Sequence, residues 1–485
     1  MRLHLLYLFC LVGLTGCVNY AGMHGNATPF QAAQLSTPHV YGKTTKQVSA
    51  AKAETPPRWW NRFHDSTLNE CITIALSDSP TMQIAQARID KAIHLTEGAG
   101  AALWPSVNGN AYVERERFAT FGLVPPPFNG RTFNIGDVAL NFNYELDFWG
   151  KNRQILAAKL SRQQAAIADL MEARLVIAAA VTSSYVQLQS HLESLRIAKA
   201  IWRERQTVLS IIQDRARQGV DSDIPVKTAI TDVEAARQVV YQFSQAEKIS
   251  RHKLAVLMGK NPLETTLHPK PFIYQKRAIA LPHSLPANLL AVRPDIIASR
   301  MRVEASLHSV NAQKARFFPN INLYALFSFQ SVGLGRLFHK TNQNNDLGAA
   351  IDLPLFDAGL RRANLGVRYA EYDLAVHQYN RTILTALQEV ADQLSILNAL
   401  SAQLRAEQHA LQAAKRHYKL SYSRYNHGIV DYVDVLQSKE LLLQQQQTQV
   451  DLQARHVQAV VRMIIALGGS PLNDKDGYDR YANAN

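Results

Sequence analysis

From Lys151 to Gln218 the chain carries neither glycine nor proline. The stretch is rich in Ala, Leu, Arg, Gln and Glu, residues that lose little on entering a helix, and it predicts one continuous helix. At about 1.5 Å per residue such a helix is on the order of 100 Å long, far beyond the three turns of an ordinary globular helix. One turn at Gly219 follows, and helix is expected to resume from Val226 to Met258. A helix of that length spans a distance rather than filling a compact core.

The same pattern occurs twice. A second run without Gly or Pro extends from Val367 to His427, turns at Gly428 and continues from Ile429 to Leu467. Gly150 to Gly219 equals Gly359 to Gly428 in length, and Gly219 to Gly259 equals Gly428 to Gly468. Pro80 to Pro105 likewise matches Pro294 to Pro319. The chain therefore reads as two fused units of one design, the first slightly longer between Pro105 and Gly150. The expected division is a signal peptide over 1–16, a tether over 17–58, a first repeat over 59–262, a linker over 263–292, a second repeat over 293–471 and a tail over 472–485. Each repeat holds a short helix, a β-hairpin and a long helical hairpin.

The amino-terminal segment points to export. Arg2, the apolar run Leu3–Val12 and Leu14-Thr15-Gly16-Cys17 make a short signal ending in small residues. The ending resembles a bacterial lipobox, which implies cleavage before Cys17 and its acylation. Val18 stands where an aspartate tends to retain lipoproteins in the inner membrane, so the resemblance points to the outer membrane. Asn19 to Pro57 is polar and patternless and is expected to be an extended tether. Apart from the acylated Cys17, Cys71 is then the one cysteine of the mature chain, expected to be buried and apolar in role. The net charge is +13, but the Lys and Arg form no compact block interleaved with aromatics, so nucleic acid is not an expected partner.

After Pro105 and Pro319 the hydrophobic period changes to two. Val107 to Val113, Val138 to Phe148, Ile321 to Phe329 and Leu347 to Leu355 each alternate apolar and polar residues. Strands of about ten residues with one apolar and one polar face are the signature of a membrane β-barrel. Four strands are too few to close a barrel, for which about eight is the minimum, and an open edge in lipid leaves backbone groups unsatisfied. If the strands span the membrane, several chains must share one barrel, and three chains would give twelve strands; the expected fold class is α+β membrane, with long helical hairpins forming a periplasmic tunnel plus four strands per chain contributing to a trimeric, twelve-stranded outer-membrane barrel.

Trp59-Trp60, the strand ending Tyr144-Glu145-Leu146-Asp147-Phe148-Trp149-Gly150, Leu285-Pro286-Ala287-Asn288-Leu289-Leu290 before Arg293-Pro294-Asp295-Ile296, and Gly428 followed by Asp434-Val435-Leu436 together resemble the TolC-like outer-membrane efflux proteins, in their lipidated OprM/NodT-type branch. The resemblance implies a homotrimer embedded in outer-membrane lipid, whose periplasmic tips meet an adaptor (membrane fusion) protein and, through it, an inner-membrane efflux pump. It places adaptor contacts at the turns, Gly219, Val220, Gly428 and Ile429. It places the closed periplasmic gate at Asp431 and Asp434, with Arg424 and Arg215, each four residues before its turn glycine, as ion-pair partners. Asp434 matches the family's first acidic position, Gln437 occupies the next one, and Pro225 stands where the family often has an aspartate.

No phosphate-binding Gly-Lys-Ser/Thr loop, His-Glu-x-x-His, cysteine pair or Gly-x-Ser-x-Gly elbow occurs. No enzyme activity, cofactor or metal is expected. The function expected is an outer-membrane channel of a tripartite efflux system that passively exports small molecules. The alternatives are a type I protein-secretion duct on the same fold and a non-conducting structural coiled-coil lipoprotein.

Overall fold

The computed structural model describes residues 20–30, 58–220, 222–263, 269 and 293–469. Cys17, the signal segment, the Leu285–Leu290 motif and the tail lie outside them.

Seven helices are described: α1 (Ser66–Asp78), α2 (Pro80–Ala101), α3 (Lys151–Arg217), α4 (Asp223–Leu257), α5 (Pro294–Ala315), α6 (Leu360–Asn426) and α7 (Tyr432–Ala466). The repeat is quantitative. Both α3 and α6 have 67 residues, α4 and α7 have 35, and α2 and α5 have 22. Each α2/α5 pair opens on a proline, which lacks only an N–H that the first helical turn leaves unbonded anyway.

Four strands, β1 (Ser106–Arg117), β2 (Thr132–Leu146), β3 (Asn320–Val332) and β4 (Gln343–Asp352), form one antiparallel sheet in the order β1-β2-β3-β4. The central pairing, β2 with β3, joins the two repeats through pairs such as Phe142↔Ala325 and Leu140↔Phe327. β1 and β4 remain as edges.

Contacts gather the chain into two compact units that cut across the repeat. Among the described residues, the sheet unit combines 20–29, 89–166 and 299–379, and the helical unit takes the rest. Each unit thus draws on both repeats.

In the sheet unit both long helices start on the same device. The Asp147 carboxylate accepts the N–H groups of Asn152 and Arg153, both at 2.9 Å, and Gly150 turns the chain at φ 74°. Asp357 accepts from Gly359 and Arg361 at 3.1 and 3.2 Å, with Gly359 at φ 89°. A carboxylate on otherwise unbonded first-turn N–H groups is a strong cap. Trp149 stacks on Phe318 at 4.6 Å and donates its ring N–H to the Pro319 carbonyl, tying the end of β2 to the start of β3.

The amino-terminal segment departs from the expected tether. Tyr20 meets Phe317 edge to face, and Ala27 is buried against Val303 and Val376. The Asn26 and Ala27 N–H groups donate to the Asp373 carboxylate at 3.1 and 3.0 Å. Residues 20–29 are thus seated on the sheet unit by backbone bonds that a composition-based reading does not register.

In the helical unit the second part of α3 is the packing centre. Tyr185, Leu188 and Ile197 are fully buried, and Ile197 packs on Leu443 and Val450 of α7. Asp65 caps α1 by accepting from Thr67 and Leu68, and also accepts the Tyr185 hydroxyl at 2.8 Å. Trp59 and Trp60 are buried in a 3-10 turn just before it. Cys71 is buried and free, and burial beside Glu70 and Asp65 pushes its thiol up to about 11, which keeps it protonated and unreactive. Among the described residues no helix is long and apolar enough to cross a membrane.

Candidate functional site

The turn at the end of α3 and the turn at the end of α6 are built identically. Val220 N–H donates to the Arg215 carbonyl (2.9 Å) and Gly219 N–H to Ala216 (3.0 Å). Ile429 N–H donates to Arg424 and Gly428 N–H to Tyr425, both at 2.9 Å. This six-to-one, five-to-two pair of bonds needs a left-handed residue at its centre, and Gly219 and Gly428 supply φ 74° and 70°. The motif satisfies the last helical carbonyls and leaves the next side chain outside: Val220 is 63% and Ile429 62% exposed. Ile224, in the first turn of α4, is 76% exposed and extends this apolar surface. Tyr425 and Tyr432 meet across the second turn at 5.0 Å.

Of the four residues expected at the gate, the structure pairs two. Arg215 Nη1 lies 2.5 Å from Asp431 Oδ2 and so links the end of α3 to the start of α7. Asp431 is the N-cap residue of α7, yet its carboxylate makes no capping bond, because it is turned to Arg215. Asp431 and Asp434, three residues apart, sit at the N-cap and in the first turn of α7. Asp434 N–H donates to the Asp431 carbonyl at 3.1 Å, and the Asp434 side chain is exposed in the first helical turn, where a negative charge suits the helix dipole. For Arg424, by contrast, no ion pair of its guanidinium occurs among the described residues, so the expected symmetry between Arg215 and Arg424 fails. Both carbonyls close their turns alike, so the difference lies in the side chains: that of Arg215 reaches the acid that opens α7.

Further ion pairs not anticipated from sequence hold α3 to its neighbours. Arg205 bridges Asp232 of α4 (2.9 Å) and Glu440 of α7 (2.7 Å), and Lys439 lies 2.5 Å from Glu204. The hydrogen bond from Lys439 to Glu204 raises the lysine's pKa. Both α3–α7 pairs join residues 235 apart in the chain, a separation that no short-range charge pattern reveals. Toward the turns, therefore, α3 and α7 are held by three ion pairs, the last of them at Asp431.

In the sheet unit, strand parity sorts the side chains. Val107, Val113, Leu140, Phe327, Leu347 and Ile351 share one face by register and are all well exposed, between 44% and 82%. Asn108, Asn141, Asn143, Tyr324 and Gln330 share the other, where Asn141 donates to Asn110 at 2.5 Å. An apolar face this continuous is not left to water in a stable monomer.

Residues 71–260 and 285–469 match the family described as outer membrane efflux protein. The chain is 29% identical over 469 residues to the multidrug resistance outer membrane protein MdtQ of Escherichia coli O157:H7, covering 95% of this chain and 96% of that one. It is 29% identical over 478 residues to the toluene efflux pump outer membrane protein TtgF of Pseudomonas putida, covering 97% of both. Among solved structures, the outer membrane protein VceC of Vibrio cholerae superposes with a TM-score of 0.76 at 31% identity, over 86% of this chain and 99% of that one. The Campylobacter jejuni CmeC outer membrane channel shares the fold at a TM-score of 0.81 and 22% identity, over 88% of this chain and 90% of that one. With the helical repeat, the two-faced sheet and a family match over most of its length, this chain belongs to the outer membrane efflux protein family.

Proposed function

We propose that the chain is one protomer of a trimeric, lipid-anchored duct that passes small molecules across the outer membrane. The observation that carries this reading is the sheet: an exposed apolar face, a polar opposite face and two unpaired edges. In lipid the edges must be closed, and two further copies of the same sheet close them. The apolar face then meets lipid and the polar face lines a water-filled passage. Cys17 is three residues from Tyr20, which is seated on Phe317 just before β3. An acyl chain on Cys17 is therefore tethered within about 10 Å of that point, at the end of a strand where the bilayer interface is expected. The duct has no energy source or catalytic group of its own. A periplasmic adaptor gripping the apolar turn residues Val220, Ile224 and Ile429, and a pump in the inner membrane behind it, supply the work.

Deleting the gene is the direct test. Intracellular accumulation of dyes and antibiotics should rise and return to normal on complementation. Unchanged accumulation with the loss of a secreted protein would instead assign the fold to protein secretion.

In this duct the Arg215–Asp431 pair and the exposed Asp434 belong to the closed state. The pair is exposed and contributes at most about 1 kcal/mol per chain, a bond that a docking partner can exchange. Asp431→Asn, Arg215→Ala and Asp434→Ala should each raise single-channel conductance in planar bilayers with little change in thermal stability. Unchanged conductance in all three would remove the gate from this turn.

A further inference from the structure

The two ends of the sheet treat their cations differently. At the end that runs into the helices, Lys151 lies 2.5 Å from Glu145, Arg153 3.3 Å from Asp147 and Arg361 2.6 Å from Asp357. At the end where the hairpins turn, Arg115 and Arg117 of β1 and Arg336 and Lys340 of the β3–β4 loop are exposed. None of these four side chains has an ion pair or hydrogen bond among the described residues. Strand parity puts Arg115 and Arg117 on the apolar face, next to Val113 and about 7 Å apart along the strand. The β3–β4 loop folds onto the same face. Gly333 N–H donates at 2.7 Å to the carbonyl of Asn134, the register partner of Arg115. Leu334 and Leu337 close over Gly136, the register partner of Val113, so tightly that an added Cβ would meet Leu334 at 2.9 Å. Phe338 packs on Phe329 at 5.8 Å. No carboxylate of the four strands lies on this face, since Glu114, Glu116, Asp137 and Asp346 all point to the other. Exposed apolar groups alternate with the cations: Val113 before Arg115, Leu334 before Arg336, and Phe338 between Arg336 and Lys340.

We propose that this patch is a headgroup site for a phosphorylated lipid of the outward leaflet, with phosphate held by Arg115, Arg117, Arg336 and Lys340 and acyl chains lying on the apolar face. The proposal rests on the membrane-spanning sheet proposed above, in which the helices are periplasmic and the hairpin turns face outward. A cation at the end of a lipid-facing apolar band reaches the headgroup layer, and a guanidinium fork matches the oxygens of a phosphate. A soluble anion has no use for the apolar floor, whereas a phosphorylated lipid uses both parts. Closing the barrel leaves the site open, because a neighbouring strand pairs along the edge of β1 and not over its outer face. Each protomer then carries one such site, and the bound lipids fix the depth at which the rim of the duct sits.

The test titrates fluorescently labelled, diphosphorylated lipid A against the purified full-length protein in neutral detergent. Binding should saturate and be displaced by unlabelled diphosphorylated lipid A, less well by the monophosphorylated form. Diacylglycerol, a lipid without phosphate, and inorganic phosphate, a phosphate without lipid, should not displace it at the same concentration. Arg115→Gln with Arg117→Gln should weaken binding about thirtyfold, at about 1 kcal/mol per cation near an anionic lipid surface. Lys151→Gln with Arg153→Gln removes the same charge at the helical end and should keep the parent affinity. Displacement by diacylglycerol would reduce the patch to an apolar surface, and displacement by inorganic phosphate would reduce it to a simple anion site; either overturns the proposal. Parent affinity in the Arg115/Arg117 variant would overturn it too, leaving the arginines as guards of the β1 edge. If that variant does not assemble, the order of competitors on the parent decides. A parent that conducts in planar bilayers yet does not bind lipid A overturns this site and leaves the duct standing. One that neither conducts nor binds overturns both.

Discussion

Arg293→Ala is expected to destabilise the helical unit by about 3 kcal/mol, the lower end of the range for breaking a buried ion pair. Arg293 is 5% exposed and stands immediately before α5. Its Nη2 lies 2.7 Å from Asp295 and 2.9 Å from Glu389 of α6, and its Nη1 donates at 2.8 Å to the Ala466 carbonyl at the end of α7. One planar cation thus joins three helices. Burial works against its charge, but the two carboxylates outweigh burial and the guanidinium holds its proton more tightly than usual. Truncation takes the guanidinium from Asp295 and leaves the Ala466 carbonyl of α7 without this donor. Glu389 is 47% exposed and turns to water, which keeps the loss at the lower end. Lysine keeps the charge but cannot present the fork to all three acceptors, so Arg293→Lys should recover only part of the loss. Thermal unfolding of the purified protein in detergent reads both variants. A midpoint for Arg293→Ala equal to the parent's would mean that water already screens the cluster.

Much of this architecture was legible because the helix ends obey local rules. Gly219, Gly259, Gly428 and Gly468 recur at matched intervals, and each closes a helix with the same left-handed turn. Glycine is informative at a helix end and far less so inside one. Helix α6 starts at Leu360 rather than Val367 and runs through Gly366, since one interior glycine costs only about 1 kcal/mol. Strand ends were blurred for a related reason. Phe133 and Ile135 break the alternation of β2 by placing apolar groups on the polar face, where Phe118 and Phe128 pack on Phe133. The alternation therefore begins at Asp137 while the strand begins at Thr132. β4 is displaced the other way. It spans Gln343–Asp352 and has ended before Pro354, which has no N–H to give to a ladder. At the turns, the family resemblance pointed to Asp431, with Arg215 four residues before its glycine as a partner, and the structure joins them. Which of two equivalent arginines finds an acid depends on contacts between helices far apart in sequence. The Glu204–Lys439 and Arg205–Glu440 pairs were hidden for the same reason.

The four helix-ending glycines supply the second large effect, because identical backbone geometry meets different surroundings. An alanine in the left-handed conformation costs about 1–2 kcal/mol wherever it sits. At Gly219 and Gly428 nothing lies within 4 Å of an added Cβ, so that strain is the whole cost. At Gly259 the added carbon meets the Asp78 carbonyl oxygen at 2.6 Å, between α1 and α2, and backbone has to move. At Gly468 it meets Arg293 Cα at 3.0 Å, beside the cation that joins three helices. Gly259→Ala is therefore expected to cost about 4 kcal/mol, in the range reserved for strain plus overpacking, and Gly468→Ala somewhat less. Gly219→Ala and Gly428→Ala should stay within the strain term, and their unfolding midpoints should fall well above that of Gly259→Ala. The ordering separates two meanings of a glycine turn. If Gly219→Ala and Gly428→Ala fold and insert normally yet lose efflux, the turn backbone is needed by whatever docks there. If they retain efflux, the glycines only end helices, and recognition rests on the exposed side chains of Val220, Ile224 and Ile429. Equal destabilisation at all four positions would contradict the open surroundings of the two turns and, with them, the availability of that surface to a partner.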